Sequence, residues 1–277
     1  MLTDAHCHPF DLVEHFPAAE DQRQQLGVMC AASSTTAEEF AYCERLSRKA
    51  RDSAAAPLLP CFAVHPQMPA VKQLTVSSEQ LTVNLAMLNT LAVEGRLAAI
   101  GETGFDLFNA EYRETEKIQD DLFAGHLETA LRHDLPLVIH VRRAMHKIFA
   151  CSSALKKCRA VIFHSWSGTA GEGESLLKRG INAFFSFGNV IMLNHREAMR
   201  CCAVFPANRL LTETDAPFQP PRGMEFSSYA GMSRILEAAA ALRREAGTGG
   251  AGVQELEEII ERNFRAAFNY FEKTSSR

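Results

Sequence analysis

The chain is short of several things. Only 8% of its 277 residues are aromatic, one of them tryptophan, and no stretch interleaves basic with aromatic side chains. That argues against a long groove tracking a nucleic-acid strand, in which successive bases stack on successive rings. A basic surplus is missing too: 29 Lys and Arg against 33 Asp and Glu give a formal net charge of −4. Proteins that coat duplexes irrespective of sequence carry an excess of positive charge, so that class is disfavoured. A local phosphate site is not, because a bound cation adds charge that residue counting omits. The eight cysteines include no CxxC pair, and eight in a chain of this length do not make a disulfide framework. Reduced thiols in a cytosolic compartment are expected instead. No apolar run approaches the roughly 18 residues of a membrane span, and no basic-then-apolar leader opens the sequence. The expectation is a soluble, cytoplasmic protein with no membrane association and no obligate protein partner.

What is present is a recurring alternation. Short apolar runs at 1–6, 27–32, 58–64, 97–102, 136–141, 160–164, 181–187 and 209–214 read as strands. Helical patterns separate them. One is "TAEEFAYCERLSRKA", with Thr36 as N-cap. Another is "RETEKIQDDLFAGHLETALRHD", whose Ile118, Leu122, Leu127 and Leu131 are spaced for one apolar face. Two further helices close the chain around "GTGGAG" at 247–252, which reads as a turn rather than a domain linker. Eight strands alternating with helices fit an α/β fold of one domain over residues 1–277, a closed eight-stranded β/α (TIM) barrel. The competing doubly wound sheet usually carries a glycine-rich phosphate turn after its first strand. Here that place is taken by "HCHPFD".

Active sites of such barrels lie at the C-terminal strand ends. Read in order, those ends give His6 and His8, His65, Glu102, His140, His164 and Asp215. Each has an ordinary explanation: a lone strand-end histidine is commonly a hydrogen-bonded core residue, Glu102 can cap a helix, and Asp215 can open a turn. Together they are harder to dismiss. Titratable groups crowded at one barrel mouth carry a heavy desolvation cost unless a cation compensates them. A metal site is therefore expected. His15, His126, His133, His146 and His195 read as surface or packing residues, and Lys156, Lys157 and Arg159 as a solvated basic face.

"DAHCHP", "AVHPQ", "GETGFD", "VIHVRRA", "FHSWSG" and "TETDAP" resemble, in order, the signatures of the TatD family of metal-dependent deoxyribonucleases, within the amidohydrolase-like barrel superfamily. "ERNFRAAF" resembles the family's closing helix, so the resemblance covers nearly the whole chain. Departures are Trp166 in place of phenylalanine, Gln67 in place of histidine, and Thr103 and Phe105 in place of aliphatic residues. None removes a ligand.

The resemblance implies two divalent ions, with His6, His8 and Asp215 on the first, His140 and His164 on the second, and Glu102 bridging. Donor chemistry suits zinc, manganese or nickel, whereas the family is regarded as magnesium-dependent. Asp215 is expected to orient and deprotonate the attacking water. His65 is expected to contact a substrate phosphate or support the ligands. Arg142, two residues past His140, should face the same way and grip a phosphate oxygen, with Arg143 alternating away. Trp166 is a candidate to stack on a base, with core packing as its alternative. The implied activity is a 3′-directed exonuclease on DNA ends or short single strands, with RNA as a further implied substrate. The rivals are an esterase or amidase on the same centre, such as an aminoacyl-tRNA deacylase, and a non-catalytic binding protein.

Overall fold

The computed structural model describes residues 1–73, 79–248 and 252–270. Eight strands, β1 (Thr3–Cys7), β2 (Met29–Ala32), β3 (Leu58–Phe62), β4 (Ala99–Asp106), β5 (Leu137–Arg142), β6 (Val161–Phe163), β7 (Ala183–Phe187) and β8 (Leu210–Thr212), form one sheet in sequence order. Each neighbouring pair from β1–β2 to β7–β8 is parallel. The last edge lies beside the first. Across that seam Thr212 Oγ1 donates to the Thr3 carbonyl (3.1 Å), and the Asp4 carboxylate accepts both the Thr214 N–H (2.9 Å) and its hydroxyl (2.6 Å). Further up, Asp215 N–H donates to the His6 carbonyl at 2.9 Å. The result is a sheet nearly closed into a barrel, with helices around it, as the strand–helix alternation predicts.

Alternation along the strands divides the core in two. Met29 and Ala31, Leu59 and Cys61, Val138, Ile162, Phe184 and Leu211 pack with Phe264 and Phe268, in and just beyond the C-terminal helix Val253–Ala267. Their neighbours on the same strands, such as Cys30, Phe62, Ile139, Phe163 and Phe185, pack in the layer shared with the helices. Two irregularities interrupt this order, and both matter. The β1–β2 register shifts between Asp4 and Cys7, and the β4–β5 register shifts between Ile100 and Thr103. A one-residue slip exchanges the faces of a strand. After the second shift Thr103 and Phe105 turn toward the helices, leaving Glu102 and Asp106 on the cavity side. Gly101 and Gly104 permit the close approach to β5: a Cβ at Gly101 would stand 2.4 Å from Val138 Cβ, and one at Gly104 2.0 Å from the His140 carbonyl oxygen.

The helix after β2, Ala37–Asp52, starts where expected, with Thr36 Oγ1 accepting the Glu39 N–H. The long pattern after β4 is two helices, Ala110–Glu114 and Glu116–His133. Its buried face carries Leu122 and Leu127 as expected, but Leu131 is 37% exposed and Gln119, Phe123, His126 and Ala130 fill the face. That stripe bends toward β4, whose partners are partly polar. Of the 247–252 turn, residues 249–251 lie outside the described residues. Among the described residues no helix is long and apolar enough to cross a membrane.

Candidate metal centre

The strand ends deliver their titratable side chains to one point. His6 Nε2 and His8 Nε2 face each other at 3.0 Å, and each lies 3.5 Å from Asp215 Oδ1. Glu102 occupies the middle with its two oxygens turned to different groups. Oε2 lies 3.0 Å from His6 Nε2 and 3.7 Å from His8 Nε2. Oε1 lies 2.7 Å from His140 Nδ1 and 3.1 Å from both His164 Nε2 and His65 Nε2. Donor atoms of three overlapping trios converge: His6, His164 and Asp215; His6, His8 and Glu102; and His65, Glu102 and His140.

The outward nitrogens show which lone pairs face in. His164 Nδ1 meets Glu213 Oε1 at 3.2 Å, and His140 Nε2 meets Asp106 Oδ2 at 3.1 Å. Ionised carboxylates only accept, so these nitrogens carry the proton. In neutral rings the inward His164 Nε2 and His140 Nδ1 are then bare, against a carboxylate oxygen. Such a contact calls for a proton or a cation between the atoms. His6 is oriented likewise by Ser33 Oγ at its Nδ1 (3.2 Å). This is the outer support characteristic of metal-binding imidazoles. The residues fit one or more divalent ions. His65 differs, because its Nδ1 accepts the Gln67 N–H (3.2 Å), leaving the proton on the Nε2 that points at Glu102.

Electrostatics agree with this reading. Burial works against ionising Glu102, but the imidazoles of His164, His65 and His6 and the contact with His140 outweigh it, holding its carboxyl well below the usual range. Asp215 is likewise lowered, with burial overcome by His8, His164 and His6. His164 is raised well above its ordinary value, burial being overcome by Glu102 and Glu213. The cluster prefers ionised carboxylates matched by positive charge.

The centre opens into a cleft of about 450 Å³ bordered by His8, His65, Gln67, Arg142, Phe218 and Gln219. Arg142 is exposed on this border. Two expectations fare differently. Arg143 does not turn away: its φ is 55°, and its guanidinium joins that of Arg142 over the Phe108 ring. Trp166 is 1% exposed and packed against Phe163, Phe185 and Phe205, the core alternative, with no open ring face for a base. Gln67, a departure from the family pattern, donates from Nε2 to Asp106 Oδ2 at 2.7 Å and so braces the carboxylate behind His140. Asp106, Glu213 and Gln219, which donates to Asp215 Oδ2 at 2.7 Å, had no role assigned from sequence. Asp106 lay in view four residues beyond Glu102 at strand period, and Glu213 two before Asp215.

The profile of the TatD related DNase family matches residues 3–269. The chain belongs to the TatD family. The crystal structure of the TatD homologue YjjV from Escherichia coli superposes with a TM-score of 0.80 at 26% identity, covering 98% of each chain. In sequence, YjjV is 29% identical over 230 residues, 80% of this chain and 82% of YjjV, and is described as an uncharacterized metal-dependent hydrolase. A protein of Erwinia tasmaniensis named 3′-5′ ssDNA/RNA exonuclease TatD is 34% identical over 151 residues, 53% of this chain and 57% of that protein. Matches to several such curated relatives thus span about half of their length. A TatD family hydrolase from Entamoeba histolytica shares the fold, with a TM-score of 0.73 at 15% identity over 96% of this chain and 97% of its own. The TatD centre here is a metal-dependent hydrolase site whose His, Asp and Glu side chains come from six strand ends.

Proposed function

We propose that this TatD-family chain is a phosphodiesterase that shortens single-stranded DNA from its 3′ end, with RNA as a second substrate. The observation that carries the reading is the split of Glu102 between His6 and His140, 3.0 and 2.7 Å from its two oxygens, in a cleft that also holds Arg142. Its support from relatives is the name borne by the Erwinia protein.

His6, His8 and Asp215 would hold one ion, His140 and His164 the other, and Glu102 both. Bound divalent ions supply Lewis acidity and an acidified water, the chemistry suited to in-line phosphoryl displacement. The chain's own residues do the rest. Asp215, braced at Oδ2 by Gln219, is the carboxylate placed to take the proton of the attacking water. His65 donates its Nε2 proton to Glu102 at rest and is placed to donate to a substrate oxygen. Arg142 offers its donor fork to a phosphate at the rim.

The test is digestion of 5′-labelled single-stranded DNA by metal-stripped protein with single divalent ions restored. A metal-dependent ladder, halted by a phosphorothioate at the 3′ end, supports the reading. Hydrolysis of simple esters or aminoacyl-tRNA with no attack on DNA replaces it by the esterase alternative.

A further inference from the structure

Phe108, just past β4, is 38% exposed, and two consecutive arginines use its ring: Arg142 Cζ stands 3.6 Å and Arg143 Cζ 4.8 Å from its centroid. Neighbours on a strand point opposite ways, so two adjacent side chains meet one ring only if the backbone turns between them. It does: Arg143 adopts a φ of 55°, the left-handed region, at a cost of about 1–2 kcal/mol for a residue with a Cβ.

The ring is held in place. Phe108 N–H donates to Asp106 Oδ1 (2.9 Å), Leu107 N–H to the Arg142 carbonyl (2.9 Å), and Arg113 Nη1 to the Leu107 carbonyl (3.2 Å). The same Asp106 braces the ligand His140, so the platform and the metal centre share one support.

Charge is the second observation. Arg23, Arg96 and Arg159 pair with Glu20, Glu44 and Asp134. Arg142 and Arg143 have no carboxylate within ion-pair distance among the described residues, although acidic side chains outnumber basic ones in the chain. Arg143 borders a shallow depression beside the cleft together with His146 and Ser167. Glu172 lines the same depression, its carboxylate engaged in capping the helix Ala170–Lys178 through Thr169. An unpaired guanidinium pair, braced on a ring and leading out of the cleft, is an arrangement for an anion.

We infer that Arg143, with Arg142 on the Phe108 ring, forms an anion subsite outside the metal centre that holds a second phosphate of a single-stranded nucleic acid, adjacent to the bond being cut. This rests on the phosphodiesterase reading. It gives the enzyme a grip on a strand that a single phosphodiester cannot use, and it leaves the aromatic-poor surface free of any longer track.

The test compares wild type with Arg143→Glu, Arg143→Lys and Phe108→Leu, each first shown to melt as wild type does. Substrates are an oligothymidylate of about twelve residues and bis(p-nitrophenyl) phosphate, which has one phosphorus. For Arg143→Glu the ratio of kcat/KM on the oligomer to that on the small diester should fall about tenfold, mostly through KM. The log–log salt dependence of oligomer binding should become shallower by about 0.7 for the lost contact. Arg143→Lys should recover part of the loss, and Phe108→Leu should fall between. An unchanged ratio and salt slope in Arg143→Glu overturn the subsite. So does competition by inorganic phosphate as effective as that by the oligomer, which would mark a site for free anions. Wild type that cleaves neither diester defeats the phosphodiesterase reading instead. Fluorescence anisotropy of the labelled oligomer then decides the subsite separately: weaker binding by Arg143→Glu supports it, and equal binding ends it.

Discussion

Thr103 Oγ1 lies 2.6 Å from Nδ1 of His126, directly behind the metal centre. The opposite nitrogen of the same ring accepts the Val64 N–H at 3.3 Å, which fixes the neutral Nδ1–H tautomer and makes Nδ1 the donor to Thr103. His126 therefore ties the segment just past β3 to the middle of β4, its partners Val64 and Thr103 standing next to His65 and Glu102. A histidine read as surface or packing from its helical position is a fully buried tie between two strands of the site.

That tie carries a pH signature. Burial pushes the His126 pKa from 6.5 down to about 3. The unfolded chain binds this proton through the interval and the folded chain does not, so the contribution to stability is present above about pH 6.5 and lost as pH falls toward 3. In His126→Gln, which keeps a donor and an acceptor but does not titrate, the fall in unfolding free energy between pH 6.5 and 4 should be shallower by up to about 1.4 kcal/mol per pH unit. Urea unfolding at a series of pH values measures it, and parallel profiles for the two proteins would contradict the assignment.

Trp166 separates packing from recognition. Replacing this enclosed indole by alanine should cost about 3–5 kcal/mol of stability by chemical denaturation, as for other large core residues. KM for oligonucleotide should stay within about twofold for whatever fraction folds. A raised KM with stability intact would return the ring to the substrate.

The support behind His140 is open to measurement. Asp106→Asn keeps the shape but removes the charge that holds the His140 proton outward, and Gln67→Ala removes a brace from Asp106. Each should weaken divalent-ion binding, by about 10–100-fold for Asp106→Asn, read by isothermal titration. Unaltered affinity in Asp106→Asn would show that the inward nitrogen needs no such orientation.

How far the sequence discloses this molecule depends on which signal is local. All eight strands are visible because apolar runs bounded by turn residues report burial directly, and the strand-end histidines follow from the barrel's geometry. The apolar run of β4 ends at 102 whereas the strand is Ala99–Asp106, because "TGFD" mixes polar with apolar residues where the strand turns through a register shift. The same shift hid Asp106. Arg143 departs from strict alternation because it stands one residue beyond the strand, in a left-handed position that no residue type announces. Leu131 faces solvent and His126, one of the surface or packing histidines, takes the packing role, because the helix Glu116–His133 packs on a partly polar strand, where hydrophobic spacing is a poor guide.

Anomalous diffraction from crystals soaked in manganese tests the central claim most directly, with Glu102→Gln beside wild type. Two peaks should appear in the wild-type cleft, one toward His6, His8 and Asp215 and one toward His140 and His164, with Glu102 between them, and Glu102→Gln should lose at least one. A cleft without anomalous density at saturating manganese, or ions bound out of reach of Glu102, would contradict the account.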